Sequence, residues 1–296
     1  MTDTKTYYAL AVDPLHIGTG GYRLGRVDNT IVREPGTGIP KVPGSSISGV
    51  CRNYTIYRLE ETDKLIAVKC AKNDTKKQNN CGHCVICKTF GFSSAEEKTN
   101  QMGLIKFFDA MIVAFPVATM FGPVWVTTAE ILREHGVSIA ASPGTDVLYT
   151  SFANPVGKLN LGWLYLESQK IDNVKLPSAT ALTPPSPQIN TINDRLVIAP
   201  NWLFSEIVNA NLEVRTSVAI DFKTGAAKSG ALFTYEAIPR TTLLAFDIVV
   251  DAYRCNGLPD KEKVWKILKN GLQLFEVLGL GGMNTRGFGR MKVINL

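Results

Sequence analysis

Gly279-Leu-Gly-Gly-Met-Asn-Thr-Arg-Gly-Phe-Gly-Arg290 is the stretch from which the rest of this chain is read. It holds five glycines and two arginines in twelve residues. Upstream, Asp260 caps a helical stripe of Val264, Ile267, Leu268, Leu272, Phe275 and Leu278; downstream, Gly287 to Ile294 reads as a last strand. Glycine accepts positive φ and lets another backbone approach closely. Consecutive N–H groups in such a loop form a concave anion site, and arginine forks match phosphate oxygens. The plainer reading is a helix C-cap and a tight turn into an edge strand.

Working outward, Thr241 to Tyr253 is a strong strand. Before it, Val214, Thr216, Val218 and Ile220 alternate, a polar Lys223-Thr-Gly225 turn follows, and Leu232 to Tyr235 returns, which predicts a long hairpin. At the other end Tyr7 to Val12 reads as a first strand, followed by His16-Ile-Gly-Thr-Gly-Gly21 and a polar connection from Tyr22 to Gly44. A helix is expected to begin at Ser45 or Ser46, both good N-caps, with Ile47, Val50, Cys51, Tyr54 and Tyr57 as its apolar stripe and Arg52 off it. Gly103 to Val117 predicts one or two strands, and Val124 to His135 a strand edge followed by a short helix that His135 caps. Pro143 to Pro200 shows no clear period, with a loop at Thr183-Pro-Pro-Ser-Pro187. The order strand, helix, strand, strand, helix, strand is the βαββαβ plan of an α+β, ferredoxin-like (RRM-like) fold. That plan serves many activities. No aromatic RNA-stacking signature marks the sheet, so any RNA contact is expected from loops and helix ends.

With 296 residues and 45% hydrophobic content the chain can bury a substantial core, as one elaborated domain or two small ones. The net charge of +6 permits a polyanionic partner without demanding one. No apolar signal core opens the chain and no run approaches the length of a membrane span, so a cytoplasmic protein without membrane contact is expected.

Pro43-Gly-Ser-Ser-Ile-Ser-Gly-Val-Cys-Arg52 is a second signal. A Gly-Ser-Ser helix start exposes N–H groups and the hydroxyls of Ser45 and Ser46 at the positive end of the dipole, and Arg52 lies about two turns in. Plain N-capping with a surface arginine explains the same residues. Together with Gly281, Gly282, Arg286 and Arg290, the motif favours a track for a polyphosphate. Cys81-Gly-His-Cys-Val-Ile-Cys87, with Cys70 upstream, has the sulfur for a tetrahedral zinc site closed by Cys70, Cys81, Cys84 and Cys87, with His83 in reserve for Cys70. Four protein ligands leave no open position, so the zinc is expected to be structural; surface thiols or an oxidised pair is the alternative. Asp28 lies in Arg23-Leu-Gly-Arg-Val-Asp-Asn-Thr-Ile-Val-Arg33 between basic residues. A carboxylate beside a phosphodiester needs a divalent cation or a proton-transfer task to be tolerated. An exposed loop aspartate is otherwise a surface or turn residue. His16 could serve as an acid or base, or simply pack.

Pro14-Leu-His-Ile-Gly-Thr-Gly, Val27-Asp-Asn-Thr-Ile-Val-Arg-Glu-Pro35 and Ile39-Pro-Lys-Val-Pro-Gly-Ser-Ser-Ile-Ser-Gly49 resemble the RAMP superfamily. So do Thr89-Phe-Gly91, Phe108-Asp-Ala-Met-Ile-Val-Ala-Phe-Pro-Val117, Trp125-Val-Thr-Thr128 and Ser229-Gly-Ala-Leu-Phe-Thr-Tyr-Glu236. The likeness is to the repeated backbone subunit of type III-B, Cmr-module CRISPR effectors. The polar, lysine-rich and cysteine-bearing composition itself reads as an insertion at 64–100, while the likeness implies one elaborated RAMP domain over 1–296, with a ferredoxin-like palm and a thumb and lid region at 183–240. It also implies copies stacked helically on CRISPR RNA beside other type III-B subunits. Each thumb, here the hairpin around Glu213 to Pro239, would displace a base pair between guide and single-stranded target RNA. By the same resemblance Asp28 would cleave the target at regular spacing. Ser45, Ser46, Arg52, Gly281, Gly282, Arg286 and Arg290 would hold the guide. The chemistry expected is 2′-OH attack, leaving a 2′,3′-cyclic phosphate, with a divalent cation such as Mg or Mn neutralising charge. A purely structural RNA-binding subunit, or a stand-alone CRISPR RNA processing nuclease using His16, are the alternatives.

Overall fold

The computed structural model describes residues 3–20, 27–59, 84–93, 100–139, 146–153, 157–176, 187–251, 253 and 261–296. The first strand, Asp3–Ala11, buries every residue from Tyr7 onward. Side chains alternate across a strand, so Tyr7, Ala9 and Ala11 enter one apolar cluster while Tyr8 and Leu10 enter another. The strand therefore lies mid-sheet, with layers on both faces. Its antiparallel neighbours are Met291–Val293 and Leu243–Val250, and the latter pairs in turn with Ala110–Thr119.

Helices Gly44–Tyr57 and Lys261–Gln273 cover the Ala9 face side by side. Gly271 sets their spacing: a Cβ there would stand 2.5 Å from Thr55 Oγ1 and 2.8 Å from the Cys51 carbonyl. The first helix starts one residue earlier than expected, and neither serine caps it. Pro43 occupies the N-cap, and Asp109 Oδ1 accepts the Gly44 N–H at 2.8 Å from the neighbouring chain segment. Lys41 Nζ pairs with that carboxylate at 2.7 Å and with Glu34 at 2.6 Å. Gly44 is required because a Cβ would fall 2.4 Å from the Phe107 carbonyl, so the cap comes from across the fold.

Beyond Gly122–Thr128 the sheet continues through Leu196–Ala199, Val147–Thr150, Leu164–Lys170 and Lys158–Leu161; with Lys41–Val42 and Ile105–Phe107 paired alongside, it has eleven strands among the described residues. This end, where no period could be read, mixes parallel and antiparallel pairings of strands only four to seven residues long. Helices Ala129–Glu134, Pro187–Asp194 and Asn201–Ala210 flank it. His135 ends the first of these as expected, and its Nδ1 also lies 3.2 Å from the Tyr8 hydroxyl.

The expected hairpin is a separate two-stranded sheet, Glu213–Ile220 with Ala227–Ala237, in register from Glu213 opposite Ala237. Among the described residues no helix is long and apolar enough to cross a membrane.

Candidate nucleic-acid interface

Three segments far apart in sequence meet at the base of the hairpin. The chain after the first strand pairs with it through Leu15 and Ile238, whose N–H groups bond each other's carbonyls at 2.8 and 2.9 Å. Further on, Asn29 N–H donates to the Thr234 carbonyl at 3.0 Å and Glu236 N–H to the Asn29 carbonyl at 3.2 Å. Asp28 is thereby laid against the hairpin, with its side chain exposed.

The Asp28 carboxylate is held through one oxygen. Oδ2 accepts the Thr234 N–H at 2.7 Å and the Thr234 hydroxyl at 2.9 Å, while Asp28 N–H donates back to that hydroxyl oxygen at 3.0 Å. The Thr234 backbone N–H first, and its hydroxyl second, hold the carboxyl below its ordinary value of 3.8, because both bonds favour the charged form. Oδ1 has no partner among the described residues.

Below it, Glu236 is buried and bonds the same loop. Its Oε1 accepts Ile31 N–H at 2.8 Å, and Arg33 makes a fork to both oxygens at 2.6 and 2.9 Å. Asn209 Oδ1 takes the Arg33 Nε–H at 3.0 Å. The sequence quoted above contains Arg33, Thr234 and Glu236, but nothing in it marks them as partners. His16 is buried, with Nδ1 2.7 Å from the Glu236 carbonyl oxygen and its ring edge-on to Tyr235.

The glycine-rich loop closes the third side. Gly281 has φ +86°, and a Cβ would stand 2.6 Å from the His16 carbonyl and 2.5 Å from Ile17 Cδ1. Gly282 N–H donates to the His16 carbonyl at 2.8 Å, Gly289 N–H to Pro14 at 2.9 Å, and Leu280 N–H to Gly289 at 2.8 Å. These amides therefore bind protein, and the glycines serve close approach to the His16 turn. Phe288 inserts against Tyr235, ring centroids 5.4 Å apart, and the Arg215 guanidinium stacks 4.5 Å from the Phe288 ring centroid.

The basic candidates divide. Arg290 forks onto Asp13 at 2.6 and 3.0 Å, a bond that holds the Asp13 carboxyl below its ordinary value. Arg52 donates to the Gly91 carbonyl at 2.7 Å. Arg286 is exposed, 6.0 Å from the Phe233 ring centroid, with no carboxylate partner among the described residues. Ser45 is exposed and Ser46 half-buried at the start of their helix. The Tyr54 hydroxyl joins that helix to the glycine loop through the Gly279 carbonyl at 2.7 Å. Ser45 lies about 14 Å from Tyr54 along the helix axis at 1.5 Å per residue.

Of the proposed zinc ligands, Cys70, Cys81 and the reserve His83 lie outside the described residues. Cys84 caps the short helix Val85–Phe90, its sulfur accepting Cys87 N–H at 3.4 Å. Cys87 is buried one turn on. Among the described residues no cluster of three metal-binding side chains occurs.

Residues 9–292 match the RAMP superfamily. The chain belongs to that superfamily. Among its RAMP relatives is the CRISPR system Cmr endoribonuclease Cmr4 of Pyrococcus furiosus, 30% identical over 297 residues, covering 95% of this chain and 91% of the relative. The CRISPR system Cms endoribonuclease Csm3 of Methanothermobacter thermautotrophicus is 34% identical over 91 residues, 30% of this chain and 32% of that one. The RAMP fold also aligns with a chain of the type III-B Cmr-beta complex bound to cognate target RNA, at TM-score 0.65 and 17% identity, covering 99% of this chain and 96% of that one. Oligomeric Cmr4 from Pyrococcus furiosus aligns at TM-score 0.64 and 21% identity, covering 99% of each chain. This RAMP chain is thus homologous to Cmr4 over nearly its whole length.

Proposed function

We propose that this chain is the repeated backbone subunit of a type III-B CRISPR effector, stacking on CRISPR RNA and cutting target RNA at Asp28. The observation that carries the reading is the Asp28 carboxylate, exposed on a loop that lies against the base of the long hairpin. Whole-length homology to a protein named a Cmr endoribonuclease supports it. So do structural relatives described as oligomeric and as bound to target RNA.

We read the four strands Met291–Val293, Asp3–Ala11, Leu243–Val250 and Ala110–Thr119, with their two helices, as a ferredoxin-like palm; their antiparallel order supports this. The hairpin is then the thumb. Its turn end carries a fully exposed Phe222 next to Lys223, suited to stack on an unpaired base and meet its phosphate. Ser45, Ser46 and Arg286 are the guide contacts best placed to reach RNA. Gly281, Gly282 and Arg290 shape the wall behind them, and Arg52 ties the helix to the cysteine segment.

Cleavage requires the target 2′-oxygen to give up its proton to water and form a bond to the adjacent phosphorus while the bond to the 5′-oxygen breaks and that oxygen takes a proton from water. The products are a 2′,3′-cyclic phosphate and a 5′-hydroxyl. A kinked strand reaches the in-line geometry that a continuous A-form duplex withholds. Asp28 stays ionised near neutral pH, and a carboxyl held below its ordinary value is a weak base. Its role is therefore to organise charge at the scissile phosphate more than to take the 2′-OH proton. A single exposed carboxylate fits a magnesium or manganese ion, which commonly binds through one or two carboxylates plus substrate phosphates. When bound, that ion would neutralise charge on the phosphoryl oxygens. The stand-alone processing alternative is disfavoured because His16 is buried with Nδ1 against a carbonyl.

Cys84 at a helix N-terminus with Cys87 one turn on suits half of a structural zinc site that Cys70 and Cys81 would complete. Metal analysis is expected to find one zinc per chain, lost with Cys84→Ser; its absence from reduced wild-type protein removes the site. A cytoplasmic setting keeps such thiols reduced.

The central experiment compares the assembled, guide-loaded complex with one bearing Asp28→Ala or Asp28→Asn. Target cleavage is expected to collapse while guide binding and stacking persist. Undiminished cleavage leaves the subunit a structural RNA binder.

A further inference from the structure

We infer that Thr234 is a positioning residue of the cleavage site, so that the thumb strand, and not the palm loop, aims the Asp28 carboxylate. This rests on the reading of Asp28 as the cleaving residue. Thr234 gives Asp28 Oδ2 two donors, at 2.7 and 2.9 Å, and takes the Asp28 N–H at 3.0 Å. Two donors on one oxygen fix the rotation of the carboxyl group about its last bond. They leave Oδ1 as the oxygen offered to a ligand.

The role is separable from holding the loop. The loop has its own anchors on the same strand: Asn29 N–H to the Thr234 carbonyl, Glu236 N–H to the Asn29 carbonyl, Ile31 N–H to Glu236 Oε1, and the Arg33 fork to Glu236. All of these survive replacement of the Thr234 side chain. What the hydroxyl adds is one bond donated to the Asp28 carboxylate and one accepted from the Asp28 N–H. A valine at 234 keeps the shape, the branched Cβ suited to a strand and the backbone N–H. It removes the hydroxyl alone.

A consequence concerns the target. Thr234 lies about 24 Å along its strand from Ala227, at roughly 3.4 Å per residue, and Ala227 adjoins the exposed tip. A duplex that seats or bends the hairpin acts on the strand to which the carboxylate is bonded. Seating of the thumb and orientation of Asp28 are thus one mechanical unit, and a poorly seated target leaves the carboxylate misaimed. Displacements on the order of 1 Å at a reacting group cost about a hundredfold in rate.

The test uses the reconstituted complex with guide RNA, wild type against Thr234→Val, Thr234→Ser and Asp28→Ala. Guide binding and single-turnover cleavage of target RNA are measured. Thr234→Val is expected to bind guide normally and to cleave about ten- to a hundredfold more slowly. Thr234→Ser, which keeps the hydroxyl, restores most of the rate. Wild-type rate in Thr234→Val, with Asp28→Ala inactive, overturns the positioning role alone. Equal slowing in Thr234→Ser assigns the effect to bulk, and loss of guide binding in Thr234→Val assigns it to folding; either overturns the proposal. Full activity in Asp28→Ala removes the carboxylate from the reaction, and with it both readings.

Discussion

The two ends of one hairpin have opposite environments. At the base, Tyr235 and Ala237 are buried, Glu236 is buried and bonded to Ile31 and Arg33, and Phe288 packs in from the C-terminal loop. Toward the turn, Ile220, Phe222 and Leu232 are exposed, and the register shifts between Val218 and Ile220. Large apolar side chains at the tip of a two-stranded ribbon gain nothing from the chain's own core. They are suited to a partner that covers them, whereas the base is built as core. On the proposed function the contrast separates two tasks: the base fixes where a carboxylate points, and the tip meets the RNA brought to it.

Substitutions can break this contrast at either end. The largest effect is expected from Asp28→Ala, read as loss of target cleavage by the assembled complex with stability unchanged, since an exposed side chain contributes little to folding. Next is Glu236→Ala, which leaves the Arg33 guanidinium without its carboxylate beneath the loop. Breaking a buried pair from one side costs about 3–5 kcal/mol. Arg33 is 28% exposed, so the low end of that range is expected in denaturant unfolding. A change in Glu236→Ala under about 0.5 kcal/mol, the scatter of surface substitutions, contradicts a core-like base. The smallest stability effect belongs to Phe222→Ala, within about 0.5 kcal/mol of wild type, with its consequence confined to engagement of target RNA. A large loss of stability there shows the tip to be packed in the free protein and erases the distinction.

Much of the architecture was legible because it rests on local pattern. The stripe Val264, Ile267, Leu268, Leu272 did form a helix, the alternation around Val214 to Ile220 did form a strand of a hairpin, and glycines at 279, 281, 287 and 289 do adopt positive φ. The far end of the sheet was not legible. Val147–Thr150 and Lys158–Leu161 are too short to establish a period, and their pairings skip across the chain. The Asn201–Ala210 helix buries Leu203, Phe204, Ile207 and Val208. That stripe was present in the sequence, though set among short segments without a clear beginning.

The candidate site divides the same way. Sequence pattern and resemblance singled out Asp28, the serine helix start, the glycine loop and the cluster of four cysteines. They gave Arg52 and Arg290 to phosphate, whereas the fold commits Arg52 to the Gly91 carbonyl and Arg290 to Asp13. A side chain's spare donors depend on what lies within about 3 Å, which no spacing along the chain encodes.

From the sequence alone came the kinds of parts: an acidic loop residue between basic ones, glycines where backbones must meet, and a long hairpin with a polar turn. Each follows from local conformational preference and side-chain chemistry. Only the folded chain decided that Asp28 bonds Thr234, 206 positions away, and that Glu236 holds Arg33 across 203. Such bonds need two segments brought together by the packing of the entire sheet, and their partners carry no mark of one another until that packing is made.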